Sequence, residues 1–222
     1  MMELFKRVLS EDDVRLDYPR KKYGVFGGTF NPVHNGHIDM ALRIKDEFDL
    51  LRMVLIPCGS PPHKLDEQMA SKYARLQMTA LAVREYPALE VSDIEVKRIG
   101  YTYTVDTLRE LHKTCTDTDF YFVIGSDTLF ELPSWKDFAA VCRLTNFICV
   151  PRYRYEDLKL SAQAAKLHEE YGARIEVSSV RGMAVSSSEV RERLEKDLPV
   201  DHMLPRVVKE YIIENGLYKN EG

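Results

Sequence analysis

The sequence predicts an α/β fold: a doubly wound parallel sheet with helices on both faces and a helical segment at its C-terminal end. Short β-rich runs alternate with stretches whose apolar residues recur at helical spacing, as in parallel strands joined by crossover helices. Several of the runs are almost continuously apolar, as strands covered on both faces are. No linker rich in Pro, Gly or Ser divides the chain, and no internal repeat or low-complexity tract interrupts it.

In chain order, a strand over Tyr23–Phe26 runs into a glycine turn and a helix over His37–Phe48. A strand over Arg52–Ile56 and a helix over Lys72–Tyr86 follow, then a strand over Leu89–Ile94 and a helix over Thr104–Lys113. Further strands are expected at Phe120–Ile124, Asn146–Val150 and Arg174–Val177, the last two flanking a helix over Asp157–Tyr171. Each helical stretch places its apolar residues along one stripe. These strands suffice for a Rossmann-like sheet. Beyond them Ser186–Leu194 and Pro205–Asn215 read as two helices, with Gly216 placed as a C-terminal stop. Residues Met1–Lys22 lie outside the strand-helix rhythm and are expected to be an N-terminal extension, leaving 23–218 as a single domain.

Composition narrows the function classes. The chain has 222 residues, 45% hydrophobic and 30% charged, with 31 Lys+Arg against 35 Asp+Glu and a net charge of -4. That is ordinary globular composition, and a chain of this length buries roughly 70% of its unfolded surface without disulfide or metal staples. The mild negative charge gives no global reason to bind nucleic acid or an anionic membrane, so any polyanion must be held locally. Cys58, Cys115, Cys142 and Cys149 form no C-x-x-C pair and read as reduced thiols. The charged start has no signal-peptide core, and no run of about 18 apolar residues occurs. A soluble cytoplasmic protein is expected.

The first chemical signal is Gly24-Val-Phe-Gly-Gly-Thr-Phe-Asn-Pro-Val-His-Asn-Gly-His37, a strand passing through a glycine turn into a helix. That is where open α/β sheets bind phosphate. Gly27 and Gly28 place no Cβ between backbone amides and an anion. The spacing is neither G-x-G-x-x-G nor a P-loop, which disfavours a dehydrogenase or P-loop kinase. His34 and His37 are three apart at a helix opening, where amides and the helix dipole favour negative charge. A phosphate neighbour would push either imidazole toward its charged donor form. The alternative is that one histidine merely fixes the loop. H-x-x-H here lacks an adjacent Glu or an obvious third ligand, so no metal site is expected.

The second signal is Val185-Ser-Ser-Ser-Glu-Val-Arg191. Ser186 and Glu189 have capping-box spacing, and Arg191, about a turn inside the helix, can hold phosphate bidentately. The alternative is a well-capped surface helix with a solvated arginine. A nucleoside triphosphate offers more phosphates than one helix N-terminus can hold, so two cradles suit one triphosphate.

Together these motifs resemble the nucleotidyltransferases of the (T/H)-x-G-H and I-S-S-x-x-x-R type. Pro61-Pro-His-Lys64, Tyr103-Thr-Val-Asp-Thr-Leu108 and Gly125-Ser-Asp-Thr-Leu129, with Trp135 soon after, stand in the order of the bacterial nicotinate-nucleotide adenylyltransferase family. The resemblance spans about Lys22 to Tyr218. Asn31 stands where many members have Asp, and Val185 where Ile is usual; Asn31 removes a possible charge near the triphosphate.

The resemblance implies transfer of the adenylyl group of ATP to nicotinate mononucleotide, giving deamido-NAD and pyrophosphate in NAD biosynthesis, with Mg²⁺ carried by ATP rather than caged by protein. It places His34, His37 and Arg191 as catalytic residues. Gly27, Gly28, Thr29, Phe30, Asn31, Gly125, Asp127, Ser186 and Ser187 would meet ATP. Lys64, Tyr103, Thr104 and Trp135 would meet the mononucleotide. Several of these keep a bland alternative: Asp127 as a helix N-cap, Lys64 as a solvated lysine, Trp135 in core packing, and Tyr103 and Thr104 at an ordinary capped helix. Arg75 reads as a surface arginine or a weak phosphate contact. Competing activities are adenylyl transfer to nicotinamide mononucleotide or to pantetheine phosphate. A non-catalytic nucleotide-binding regulator is the alternative from another class.

Overall fold

The computed structural model describes residues 20–60, 69–151, 157–182 and 185–219. Its sheet has six strands, all parallel, in the order β3-β2-β1-β4-β5-β6. The strands are β1 (Lys21–Gly28), β2 (Arg52–Pro57), β3 (Leu89–Val91), β4 (Thr118–Gly125), β5 (Asn146–Val150) and β6 (Ile175–Val177). The helices are α1 (Asn35–Glu47), α2 (Lys72–Val83), α3 (Thr104–Thr114), α4 (Ser126–Glu131), α5 (Phe138–Leu144), α6 (Asp157–Tyr171), α7 (Ser187–Glu195) and α8 (Arg206–Glu214). This is the Rossmann-like α/β fold expected from the sequence.

Register and side-chain alternation sort the core into two layers. Val25 pairs with Val54 and Phe122, and these three point to the face covered by α3, α4, α5 and α6. One residue along each strand, Phe26, Leu55 and Val123 point to the other face, covered by α1, α2, α7 and α8.

Three expectations need correction. The first strand starts at Lys21, inside the segment expected as an extension, and Lys21 and Lys22 pair with Thr118 and Asp119 of β4. β3 ends at Val91 rather than Ile94, because Ser92 turns the chain, its Oγ accepting from the Ile94 amide at 3.3 Å. The sequence reading also missed α4 and α5. They hold 6 and 7 residues around a 3₁₀ turn at Leu132–Ser134, too short to show a helical period.

The end of the chain follows expectation closely. After α8, Gly216 adopts φ +60. Its amide donates to Ile213 O at 3.2 Å and the Leu217 amide to Ile212 O at 3.0 Å, the paired bonds of a Schellman stop. Among the described residues no helix is long and apolar enough to cross a membrane.

Candidate active site

The crossovers leave β1 and β4 in opposite directions along the sheet, so a crevice opens at the carboxyl ends of these two neighbouring strands. β1 ends at Gly28 and β4 at Gly125, which brings the first motif and the Gly-Ser-Asp motif side by side.

Beyond Gly28 the chain makes a loop that no helix or strand ladder supports. Phe30 sits in the left-handed region at φ +49 although it carries a side chain, and is only 2% exposed. Its ring packs edge-on to Phe26 at 5.4 Å and to His37 at 5.0 Å. The two glycines are small for a reason the sequence did not show. A Cβ at Gly28 would lie 2.9 Å from the Phe30 ring, and one at Gly27 3.1 Å from the Phe122 ring. Their missing side chains make room for these rings.

The histidines form one unit. Their rings stack at 3.6 Å, and the His34 amide donates to His37 Nδ1 at 3.2 Å. Since His37 Nδ1 accepts, the neutral ring carries its proton on Nε2. The His37 amide bonds back to His34 O at 2.9 Å and the Asn35 amide goes to Met203 O at 2.8 Å. The amides of Asn35 and His37 at the helix opening are therefore taken within the protein. His34 is 5% exposed, and burial pulls its pKa down to about 4. Among the described residues its buried Nδ1 has no hydrogen-bond partner. Desolvation thus favours the neutral ring of His34, opposite to the push that a phosphate neighbour would give.

The late serine-rich segment folds directly onto this loop. Ser186 caps α7, its Oγ accepting from the Glu189 amide at 3.1 Å, as its spacing predicts. Ser187 Oγ donates to Pro32 O at 2.9 Å, and Arg191 Nη1 donates to Asn31 O at 2.9 Å. The two motifs thus meet. Asn31 is 4% exposed, and its Oδ1 accepts from the Ala70 amide at 3.0 Å and from Tyr218 Oη at 2.7 Å. Its side chain is spent on holding the loop, so the Asn-for-Asp change falls on an internal contact.

Arg75, expected at the surface, is 1% exposed. Nη1 donates to Thr29 O at 2.6 Å, Nη2 to Cys58 O at 2.6 Å and Gly59 O at 3.2 Å, and Nε to Ala70 O at 3.2 Å. Burial lowers its pKa from the usual guanidinium value. Nothing in an isolated helical pattern marks such an arginine as internal, and the same holds for Tyr218, half-buried near the end of the chain.

On the other face, Gly125 is the N-cap of α4 and Asp127 lies in the first turn, so Asp127 is not the cap. Tyr103 is the N-cap of α3, followed by Thr104, without a side-chain capping bond. Lys136 Nζ stands 4.1 Å over the Tyr103 ring and 3.2 Å from Asp106 Oδ2. Trp135 is half-buried and meets Phe122 edge-on at 5.8 Å, the ring that also fills the space beside Gly27. Lys64 lies outside the described residues. Among the described residues no group of three or more His, Cys, Asp or Glu is arranged to hold a metal ion.

Comparison with known proteins gives this geometry a family. Residues 25–193 match the cytidylyltransferase-like family model, from the first strand through the helix of Arg191. A protein of Desulfitobacterium hafniense (strain Y51), named probable nicotinate-nucleotide adenylyltransferase, is 35% identical over 93% of this chain and 100% of its own length. One of Thermoanaerobacter sp. (strain X514) with the same name is 36% identical over 90% of this chain and 95% of its own. Among solved structures, Plasmodium falciparum nicotinic acid mononucleotide adenylyltransferase complexed with NaAD superposes with a TM-score of 0.71 at 20% identity, covering 89% of this chain and 97% of that one. At that identity the likeness speaks for the fold alone. With the paired motifs in contact and relatives matched over most of both lengths, the chain belongs to the cytidylyltransferase-like family and, within it, to the nicotinate-nucleotide adenylyltransferases.

Proposed function

We propose that the protein transfers the adenylyl group of ATP to nicotinate mononucleotide, releasing deamido-NAD and pyrophosphate. The observation that carries this is the junction of the two motifs, where Arg191 and Ser187 of α7 donate into the loop that presents His37. A 5′-phosphate oxygen of the mononucleotide attacks the α-phosphorus of ATP, the bond from that phosphorus to the β-phosphate oxygen breaks, and pyrophosphate leaves. The nucleophile is already an anion, so alignment and stabilisation of phosphate charge suffice, and no strong base is needed.

We assign His37 Nε2 as the donor at the reacting phosphate. His34 stacks behind it and holds its tautomer through the backbone amide. The Arg191 guanidinium, with the N-terminus of α7 at Ser186 and Ser187, receives the outer phosphates. Gly27, Gly28 and Thr29 line the approach, and Gly125 and Asp127 meet the adenosine side. Tyr103, Thr104 and Trp135 hold the pyridine ring, with α3 amides donating to its carboxylate, and Lys64 meets the mononucleotide phosphate. Mg²⁺ would be carried with ATP rather than caged by protein, and would supply neutralisation of the triphosphate charge. The setting is the cytoplasm.

The test compares nicotinate and nicotinamide mononucleotides at equal concentration with ATP and Mg²⁺, following pyrophosphate. Faster release with the acid is expected. Faster release with the amide would reassign the substrate, and ATP binding without turnover on any mononucleotide would favour a regulator.

A further inference from the structure

We propose that Arg75 and Tyr218 are positioning residues for adenylyl transfer, an inner brace that fixes the Thr29–Pro32 loop so that His37 meets the reacting phosphate; this rests on the reading above. Neither residue belongs to the two phosphate motifs. Arg75 reaches the loop from the protein interior, and Tyr218 from a half-buried position after α8.

The loop needs such a brace. It departs from β1 through a non-glycine residue at φ +49, a conformation that persists only where its surroundings over-determine it. Arg75 supplies one set of constraints. Its guanidinium ties Thr29 O to the carbonyls of Cys58, Gly59 and Ala70, so one rigid fork sets the end of β1 relative to the end of β2 and the entry of α2. All four acceptors are main-chain carbonyls. A planar fork that donates to four carbonyls fixes position in a way that a lysine or an apolar filler does not.

Tyr218 supplies the other. The Schellman stop at Gly216 reverses the chain after α8, and Tyr218, itself at φ +62, turns its hydroxyl onto Asn31 Oδ1. The same Oδ1 accepts from the Ala70 amide, one residue whose carbonyl Arg75 holds. Thr29, Asn31 and Ala70 are thereby locked into one hydrogen-bonded unit, on which the helix opening of His34 and His37 is mounted. In such a unit a small displacement of the loop misplaces the imidazole, and misplacement lowers the rate more than it lowers binding.

Tyr218→Phe removes one hydroxyl and leaves the ring in place, so the fold is expected to persist where Arg75→Lys could fail. In the full chain we expect Tyr218→Phe to lower kcat about tenfold, with KM for ATP and for nicotinate mononucleotide within twofold. Faster amide hydrogen exchange at residues 30–38, with β5 unchanged, should accompany it. Arg75→Lys combined with Tyr218→Phe should fall short of the product of the single effects, since both act on one loop. Wild-type kcat in the folded Tyr218→Phe protein would overturn the brace, as would an equal rise of both KM values at unchanged kcat. If the wild type turned over neither mononucleotide, adenylyl transfer itself would fail. Unchanged exchange at 30–38 would separately overturn the brace.

Discussion

Arg191 Nη1 lies 2.9 Å from the carbonyl oxygen of Asn31, a contact across 160 residues of sequence that joins the last helix-opening motif to the first. One nitrogen of Arg191 thus anchors the loop, and we propose that the same guanidinium also meets phosphate. Arg191→Ala is expected to lower kcat/KM by about 100-fold or more, the scale for loss of a preorganised donor to phosphate charge. Arg191→Lys should recover little of it, because one ammonium cannot serve both partners. Full activity in Arg191→Lys, measured by steady-state kinetics, would show that only the charge matters.

The His34–His37 pair makes a prediction in which two near-isosteres part company. His37→Asn keeps an acceptor near the position of Nδ1 and so preserves the bond from the His34 amide, but it lacks the reach of Nε2. We expect its unfolding free energy to stay within about 1 kcal/mol of wild type. Its turnover should drop about 100-fold, the lower range for a lost proton or charge donor. Denaturant melts and initial rates on the same preparation check both halves. A stable variant with normal turnover would remove His37 from the chemistry.

Burial of His34 links stability to pH. Its pKa falls from 6.5 to about 4 on folding, so between those values the unfolded chain binds a proton that the folded chain does not. The contribution is fully present above pH 6.5 and is lost as pH falls through 4, about 3 kcal/mol in total from this group. His34→Asn should flatten the unfolding free energy over that window relative to wild type, measured by urea melts from pH 7.5 to 4. Parallel profiles for the two proteins would mean that His34 titrates normally.

Gly59 tests the seam between β2 and the segment before α3. A Cβ there would overlap the Glu95 carbonyl, a backbone atom with no rotamer to move away. Gly59→Ala is expected to cost about 3 kcal/mol, at the upper end for overpacking. By contrast Gly24→Ala meets the flexible end of Met53 and should cost less. Equal melting points for the two variants would contradict this ordering.

The sheet was legible because buried parallel strands announce themselves as apolar runs, although β1 starts earlier, at Lys21, and β3 stops short, at Val91. So was the meeting of the motifs, since a triphosphate demands more than one cradle. What escaped were features with no period or motif of their own. α4 and α5 are too short for periodicity, and Arg75 sits in a helix whose pattern does not say which polar residue turns inward. Tyr218 acts through a turn 187 residues away from its partner Asn31. Gly27 and Gly28 were recognised as necessary, yet the rings they accommodate belong to Phe122 and Phe30 and emerge only in three dimensions.

We propose that the crevice at the ends of β1 and β4 directs attack to the α-phosphorus of ATP. Labelling decides it most directly: ATP carrying ³²P at the α position or at the γ position is incubated with nicotinate mononucleotide, Mg²⁺ and the enzyme, and the products are separated. The α label should appear in the dinucleotide and the γ label in pyrophosphate. Transfer of the γ label to the mononucleotide, or retention of both labels in ATP, would contradict the account.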